Sequence, residues 1–204
     1  MKVITWNMNG NIRAWDYLRR VIGLRVALLQ EAPRLDLPTG EAMVFNASTD
    51  SRGVPNRQGT AVYAQGIPIS RSSVMIAGQR FAVADVGGAD GQVILVASLH
   101  PDTKKSNLSA VRQVESALSA MMSSPSKTSQ IVGGDLNTAR NASQYWPGPR
   151  WRHDEFWRSI DSGAIGLHDC FRKFHSSEVQ TYFFKGEPQT TGWRSRKSSW
   201  ITCL

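Results

Sequence analysis

The chain has 204 residues, 41% of them hydrophobic, and carries 24 Lys+Arg against 16 Asp+Glu, a formal net charge of +8. Hydrophobic residues spread without long gaps exclude a disordered chain and predict one domain over 1–204. No apolar run approaches the roughly 18 residues that span a bilayer, and "MKVITWN" lacks the apolar stretch of a signal peptide. We therefore expect a soluble, cytoplasmic protein with neither a membrane nor an obligate protein partner. Two cysteines, Cys170 and Cys203, without a CxxC motif exclude a disulfide framework and do not suggest zinc.

The basic excess predicts a surface that attracts polyanions. Residues 140–204 hold ten Lys/Arg, six Asp/Glu and five of the seven tryptophans. Basic side chains interleaved with aromatic ones suit contact with phosphates and stacked bases, so nucleic acid is the expected partner. The alternative interpretation is a solvated charged face over a core that contains tryptophan, and composition does not decide between the two.

The first thirty residues predict a strand, a helix and a second strand. "KVITWNM" at 2–8 alternates apolar and polar residues, which is typical of a strand. "NIRAWDYLRRVIG" at 11–23 has apolar residues at helical spacing, with Gly23 as its stop. "RVALLQE" at 25–31 is a continuous apolar run, typical of a strand that is buried on both faces. Together they predict a βαβ-like opening.

The next part of the chain predicts an antiparallel meander over 59–99. Its strands are "GTAVYAQ", "SVMIAGQRFAVADV" hinged at Gly78-Gln79, and "QVILVASL", with "GGADG" as a turn. An amphipathic helix is predicted over 106–122, with an apolar side made of Leu108, Val111, Val114, Leu118, Met121 and Met122. Then follow a strand in "QIVGGDLN", a helix in "RHDEFWRSID", a short helix end and strand in "AIGLHDCF", and a strand in "VQTYFF". Two sheets that face each other, with helices outside, would accommodate these elements.

Four of the predicted strands end in polar residues that are fit for metal or phosphate chemistry. They are Asn7 and Asn9 in "TWNMNG", Glu31 in "LLQE", His100 and Asp102 in "ASLHPD", and Asp135 and Asn137 in "GGDLN". If these strand ends converge, one rim gathers carboxylates, amides and an imidazole on rigid elements, as a catalytic site requires. A hard cation such as Mg²⁺ takes oxygen ligands and needs only one or two protein carboxylates, a requirement that Glu31 matches.

Each of these residues also has an ordinary structural interpretation. Asn7 could cap a turn, Glu31 could pair with Arg34, His100 could be a loop histidine, and Asp135 could cap the following helix. For any one residue the structural interpretation is favoured. For the set it is not, because four buried strands that each end in a chemically capable residue are hard to obtain by chance.

In order and spacing, "TWNMNG", "LLQE", "SLHPD" and "GGDLN" resemble the motifs of the endonuclease/exonuclease/phosphatase superfamily. That superfamily includes deoxyribonucleases, abasic-site endonucleases, inositol-phosphate phosphatases and sphingomyelinases. The resemblance extends through "TYFF" to about residue 185 and leaves 188–204 as a divergent tail. It implies a four-layer α/β/β/α sandwich and hydrolysis of a phosphoester with Mg²⁺ or Mn²⁺.

The resemblance also implies roles for the residues at the strand ends. Glu31 would bind the metal with help from Asn7, and Asn7 and Asn9 would contact the phosphate. Asp135 would orient or activate the attacking water. Asn137 would hydrogen-bond the negative charge that develops on the phosphoryl oxygens.

By the same resemblance, His100 would lie beside the scissile phosphate as a hydrogen-bond donor or general acid. This deoxyribonuclease-like histidine and the charge of +8 favour nucleic acid as the substrate of an endonuclease or exonuclease. The alternatives are a phosphatase or phospholipase of the same superfamily, or a polyanion-binding domain without turnover.

The tail departs from the family pattern, which ends in two more strands and a closing Ser-Asp-His. "TTGWRSRKSSWITCL" at 190–204 has no histidine or acidic residue, and "WRSRKSS" predicts a poor strand. We therefore expect the last strands of one sheet to be missing or altered, and very low activity. When the codons for "WITC" are read in the frame that starts one base earlier, they can encode Leu-Asp-His-Leu. This suggests a frameshift upstream of Trp200, which sequencing of the locus would distinguish from truncation or genuine divergence.

Overall fold

The computed structural model describes residues 2–22, 25–49, 52–76, 80–88, 91–103, 107–124, 129–138, 154–170 and 200–203. The strands within these ranges are β1 (Val3–Asn7), β2 (Val26–Pro33), β3 (Glu41–Thr49), β4 (Pro55–Gln65), β5 (Ile69–Arg71), β6 (Phe81–Gly87), β7 (Val93–Leu99), β8 (Ser129–Gly134) and β9 (Trp200–Cys203). The helices are α1 (Arg13–Tyr17), which continues as a π-helical turn (Leu18–Ile22), α2 (Asn107–Met122) and α3 (Asp154–Asp161). None of these helices is long and apolar enough to cross a membrane.

The strands form two sheets. The first has the order β1-β2-β4-β3, and the second has the order β5-β6-β7-β8-β9. β1 lies parallel to β2, and β7 lies parallel to β8, whereas the other neighbours are antiparallel. Each parallel pair is connected through a helix, as parallel strands require: α1 between β1 and β2, and α2 between β7 and β8. The carboxyl ends of each parallel pair therefore lie at the same edge of their sheet.

Three apolar clusters show how the layers stack. The inner cluster joins the facing sides of the two sheets and contains Val26, Leu28, Val44, Val62, Ala82, Ala84, Val86 and Val96. On the outer side of the first sheet, Trp15 and Leu18 pack onto β2 and β4. On the outer side of the second sheet, Val114 of α2 and Phe156 of α3 pack onto β6 and β7. The predicted α/β/β/α sandwich is confirmed.

Most of the predicted elements are also confirmed, with changes at their edges. The βαβ opening is present, although its helix turns into a π-helical segment that ends at Ile22. The helix predicted over 106–122 is α2, but Leu108 and Met122, both assigned to its apolar side, are 51% and 42% exposed. Strands β3 and β5 were not predicted. Their residues mix polar and apolar side chains without the long apolar run of β2.

The meander predicted over 59–99 is wrong in its grouping. β4 pairs with β2 and β3 in the first sheet, whereas β6 and β7 pair in the second. The chain changes sheet after β4, where Gly66 has a φ of 63° and Pro68 follows it, and neither residue favours continuation of a strand. Residues 73–76, predicted as the start of a strand, are irregular, and 77–79 lie outside the described residues.

The last part of the chain is described only in places. Residues 162–166 form turns and His168 makes only an isolated bridge, so the strand predicted in "AIGLHDCF" is wrong for its described part. The strand predicted in "VQTYFF" lies outside the described residues. β9 (Trp200–Cys203) pairs antiparallel with β8, as its aromatic and β-branched residues favour. Residues 193–199, which predicted a poor strand, are not among those described.

Candidate active site

The carboxyl ends of four strands, two from each sheet, meet at one rim of the sandwich. Asn7 ends β1, Glu31 lies near the end of β2, His100 follows β7, and Asp135 follows β8. The Asn7 amide Nδ2 donates to Asp135 Oδ2 at 2.9 Å and to Glu31 Oε1 at 3.3 Å. His100 Nε2 lies 3.8 Å from Glu31 Oε1. One amide from the first sheet thus joins carboxylates of both sheets, and the four strand ends form one site.

The orientation of the Asn7 amide is fixed by its own loop. Its side chain is buried, and its Oδ1 accepts the backbone N–H of Asn9 at 2.9 Å. A carboxamide has one acceptor end and one donor end, so this bond turns the N–H₂ group toward Glu31 and Asp135. The side chain of Asn9 itself is exposed, and its predicted contact with the phosphate stays a prediction.

Left-handed backbone conformations occur at three non-glycine residues of the described chain, and all three lie at this rim. The φ angles are 50° at Asn9, 47° at Glu31 and 51° at Asn137. Asparagine tolerates this conformation better than most residues, whereas for glutamate it is uncommon. Strain of this kind persists where the surroundings impose it, often at functional sites.

The strain at Glu31 coincides with an irregularity in β2. The pairing of β2 with β4 shifts register between Leu29 and Ala32. Such a bulge redirects the side chain of the extra residue. The backbone N–H groups of Met8 and Gly10 donate to the carbonyls of Gln30 and Glu31, both at 2.8 Å, and hold the bulge against the loop after β1. The bulge explains how a residue within a buried strand can reach the rim.

Behind Glu31, a buried polar network joins the two sheets. The Gln30 side chain is fully buried and donates from Nε2 to Ser98 Oγ at 2.9 Å and to Leu28 O at 3.1 Å. Ser98 Oγ in turn donates to Leu29 O at 3.0 Å. Because Gln30 precedes Glu31 and Ser98 lies two residues before His100, this network fixes β2 against β7 directly beneath the site.

His100 and the loop after it are held by neighbouring elements. The imidazole is almost fully buried, and the backbone N–H of His100 donates to Arg80 O at 3.1 Å. Two residues on, Asp102 is clamped by Gln113 of α2, which accepts the Asp102 N–H at 3.2 Å and donates to its carbonyl at 3.1 Å. The position of His100 is therefore determined by β6 and α2 as well as by its own strand.

Asp135 and Asn137 form a turn at the end of β8. Asp135 Oδ1 accepts the Asn137 N–H at 3.3 Å, which is the Asx turn that an aspartate favours after a strand. Asn137 Nδ2 donates to the Asp135 carbonyl at 3.4 Å, so both of these hydrogen bonds hold Asn137 against Asp135 within the same loop. Before the turn, a Cβ on Gly134 would lie 1.9 Å from Leu99 O. Glycine at 134 therefore permits the close approach of β8 to the end of β7.

The carboxylate oxygens at this rim are ligands that suit a hard divalent cation. Glu31 and Asp135 bring two carboxylates onto one neutral amide, and the Glu31 side chain is 25% exposed. Within the described ranges, no group of three or more His, Cys, Asp or Glu residues is arranged to hold a metal. Mg²⁺ does not need such a group, because it usually keeps several waters and binds one or two carboxylates together with substrate phosphate.

Sequence reasoning did not single out three residues that shape this region. Gln30 and Ser98 build the network between the sheets, and Arg80 lies beside His100. For Gln30 a signal existed, since an amide within the apolar run "VALLQ" must find buried partners. For Arg80 there was none, because its position depends on how β6 pairs with β7.

Comparison with known proteins supports the fold. No protein-family model and no curated protein matches the chain. An AP endonuclease from Archaeoglobus fulgidus has a TM-score of 0.63 at 14% identity, over 98% of this chain and 85% of that one. The endonuclease domain of TRAS1, a telomere-specific non-LTR retrotransposon, has a TM-score of 0.60 at 16% identity, over 98% and 84%.

A third solved structure carries the name of the superfamily. An endonuclease/exonuclease/phosphatase family protein from Leptotrichia buccalis C-1013-b has a TM-score of 0.61 at 15% identity, over 100% of this chain and 87% of that one. Each comparison spans nearly the whole chain, so the likeness is not confined to one sheet. The chain has the fold of the endonuclease/exonuclease/phosphatase superfamily, as its four strand-end motifs predict.

Proposed function

We propose that this protein is a divalent-metal-dependent phosphodiester hydrolase that acts on nucleic acid. The observation that carries the proposal is the Asn7 amide, which lies 2.9 Å from a carboxylate oxygen of Asp135 and 3.3 Å from one of Glu31. Two carboxylates from different sheets, with the His100 imidazole beside them, supply the acid–base and ligand groups that such a reaction needs.

The residues would divide the work as follows. Glu31 would hold Mg²⁺ or Mn²⁺, which neutralises charge on the phosphoryl oxygens when it is bound. Asn7 would assist by orienting the Glu31 carboxylate through its N–H₂ group rather than as a ligand. Asp135 would orient the attacking water and accept its proton, since the Asn7 amide and the Asn137 N–H hold its two oxygens in place. His100 would donate a hydrogen bond or a proton to the phosphate, and Asn137 would hydrogen-bond a phosphoryl oxygen.

Nucleic acid is the proposed substrate on grounds of charge and fold. The chain carries a formal charge of +8, which favours the approach of a polyanion. Two of the three similar structures are named as endonucleases. The basic and aromatic residues of 140–204 would extend the contact surface, although most of them lie outside the described residues.

Cleavage of plasmid DNA tests the proposal. The protein is used in excess over DNA in Mg²⁺ or EDTA, and p-nitrophenyl phosphate serves as a small monoester. We expect cleavage that depends on Mg²⁺ and falls at least about 100-fold in Asp135→Asn. The matched control is Asp16→Asn, the same change at an exposed position of α1.

Two other results would each indicate a different function. Hydrolysis of the monoester alone would indicate a phosphatase. DNA binding without metal-dependent cleavage, unchanged by Asp135→Asn, would indicate a polyanion-binding domain and would contradict the proposal.

A further inference from the structure

A polar cavity of about 240 Å³ opens beside the candidate site, and Glu31 and His100 form one end of it. The rest of its lining comes from the β3–β4 hairpin and from the residue that precedes β6: Ser48, Asn56, Gln58, Gly59, Thr60 and Arg80. The cavity is therefore continuous with the site, and apart from Glu31 and His100 its lining comes from elements that supply none of the candidate catalytic groups.

The lining of this cavity selects a polar, anionic ligand. Apart from Gly59, every lining residue has a side chain that can form hydrogen bonds, and none is aliphatic. Stacking of a nucleobase requires an aromatic surface, and a lipid chain requires an apolar wall. The volume is below the roughly 300–1,000 Å³ of sites that enclose whole small ligands. A short piece of a longer polar substrate fits better than a complete small molecule.

Arg80 provides the positive charge of the cavity. Its carbonyl accepts the His100 N–H at 3.1 Å, and the next residues, Phe81 and Leu99, are paired across β6 and β7. Residues opposite each other on antiparallel strands project to the same face, so the Arg80 side chain leaves the backbone on the same face as the His100 imidazole. Among the described residues, no carboxylate pairs with the Arg80 guanidinium.

The opposite wall offers neutral donors in fixed positions. Asn56 Nδ2 donates to Ser48 Oγ at 3.2 Å, and Ser48 Oγ donates to Gln58 O at 2.9 Å, so these bonds stiffen the hairpin. The Gln58 amide lies over Gly10, where an added Cβ would come within 2.0 Å of Gln58 Nε2. The amide is thus held beside the loop that follows β1, next to the site.

We propose that this cavity binds the sugar-phosphate backbone of a nucleic acid strand beside the scissile phosphate, with Arg80 on the flanking phosphate and Asn56 and Gln58 on the sugar-phosphate oxygens. The inference rests on the proposed function, since it takes Glu31 and His100 as neighbours of the scissile phosphate. It makes Arg80 the residue that distinguishes a phosphodiester within a strand from an isolated phosphomonoester, which has no flanking phosphate to bind.

Binding of a fluorescent single-stranded 12-nucleotide DNA, measured by anisotropy in EDTA across a salt series, tests the inference. We expect Arg80→Gln to weaken binding about 10-fold or more and to reduce the salt slope by about 0.7, because one phosphate contact to a single strand is lost. Arg80→Lys keeps the charge and should keep the slope. Arg112→Gln, at an exposed position of α2, should bind as the unmodified protein does.

A measurement on the unmodified protein removes any dependence on the folding of the variants. Bound DNA should protect Arg80, and not Arg112, from phenylglyoxal, as read by mass spectrometry. Equal binding by Arg80→Gln and Arg112→Gln, equal modification of Arg80 with and without DNA, or no DNA binding at all would each overturn the inference. Because these measurements need no turnover, binding with Arg80 protected but without cleavage would count against the proposed function alone.

Discussion

Replacing Asn7 by aspartate keeps the size of the side chain and changes only its charge and its donors. Asn7 is 1% exposed, and its Nδ2 lies 2.9 Å from Asp135 Oδ2 and 3.3 Å from Glu31 Oε1. An introduced carboxylate would therefore meet two others at hydrogen-bond distance. At about 3 Å and an effective dielectric constant of about 20, each contact between like charges costs roughly 5 kcal/mol. The introduced carboxyl would consequently take up a proton.

The free energy needed to keep this carboxyl protonated sets the size of the loss of stability. An aspartate in the unfolded chain has a pKa of about 3.9, and keeping it protonated in the folded protein costs roughly 1.4 kcal/mol for each pH unit above that value. The cost is about 4 kcal/mol at pH 7 and about 1.5 kcal/mol at pH 5. Losing one of the two amide donors adds roughly 1 kcal/mol. Because the folded-state pKa is raised, the loss of stability grows as the pH rises.

Urea unfolding in EDTA at pH 5, 6 and 7 measures this loss as the difference in unfolding free energy between Asn7→Asp and the unmodified protein. Asn11→Asp is the matched control. Asn11 is exposed, and its Oδ1 accepts the Arg13 N–H at 3.0 Å, a bond that aspartate can also form. We expect the control to stay within about 0.5 kcal/mol at every pH. A loss below about 1 kcal/mol for Asn7→Asp that does not change with pH would refute the reasoning.

Three further predictions concern the supports of the site and the outer layer. Gln30→Met removes the amide hydrogen bonds, but it also removes a buried oxygen, Oε1, that has no hydrogen-bond partner, so we expect it to cost about 1 kcal/mol of stability. Gln30→Ala leaves a cavity and should cost about 3 kcal/mol. Equal costs of the two variants in urea unfolding would contradict this. Gly134→Ala should cost about 3 kcal/mol, because its Cβ would lie 1.9 Å from Leu99 O, and a neutral result in the same assay would be inconsistent with the close approach of β7 and β8. Burial and the nearby Glu41 carboxylate raise the pKa of Tyr63 to about 12, whereas an unfolded tyrosine ionises near 10. Stability in urea unfolding should therefore be retained below pH 10 and fall by about 2 kcal/mol between pH 10 and 12, and Tyr63→Phe should remove this component; an equal fall in Tyr63→Phe would contradict it.

The strand ends could be predicted because the relevant information is local. A buried strand reads as a continuous apolar run, and a polar residue that follows the run can lie at the edge of the sheet, as Asp135 does. Glu31 lies within β2 and reaches the rim through the bulge. The two helices between parallel strands then place such residues at the same edge. The family resemblance of the motifs supplied the α/β/β/α order of the layers and the expected roles of the strand-end residues, which the apolar pattern alone does not contain.

The supports of the site could not be predicted because they depend on pairing between distant segments. Arg80 reaches the site through the register of β6 on β7, and Asn56 reaches it through a hairpin whose first strand, β3, has no strong strand pattern. The left-handed φ of Glu31 depends on a bulge in the pairing of β2 with β4. None of these arrangements leaves a periodic signal in the residues that form it.

Binding of Mn²⁺, followed by electron paramagnetic resonance together with DNA cleavage on the same samples, tests the central claim most directly. The claim is that Glu31 and Asp135 form one metal-dependent site across the two sheets. It predicts that Glu31→Gln loses Mn²⁺ binding and cleavage together, while Glu115→Gln, at an exposed position of α2, keeps both. Retention of Mn²⁺ binding and of metal-dependent cleavage by Glu31→Gln, at the level of the unmodified protein, would contradict it.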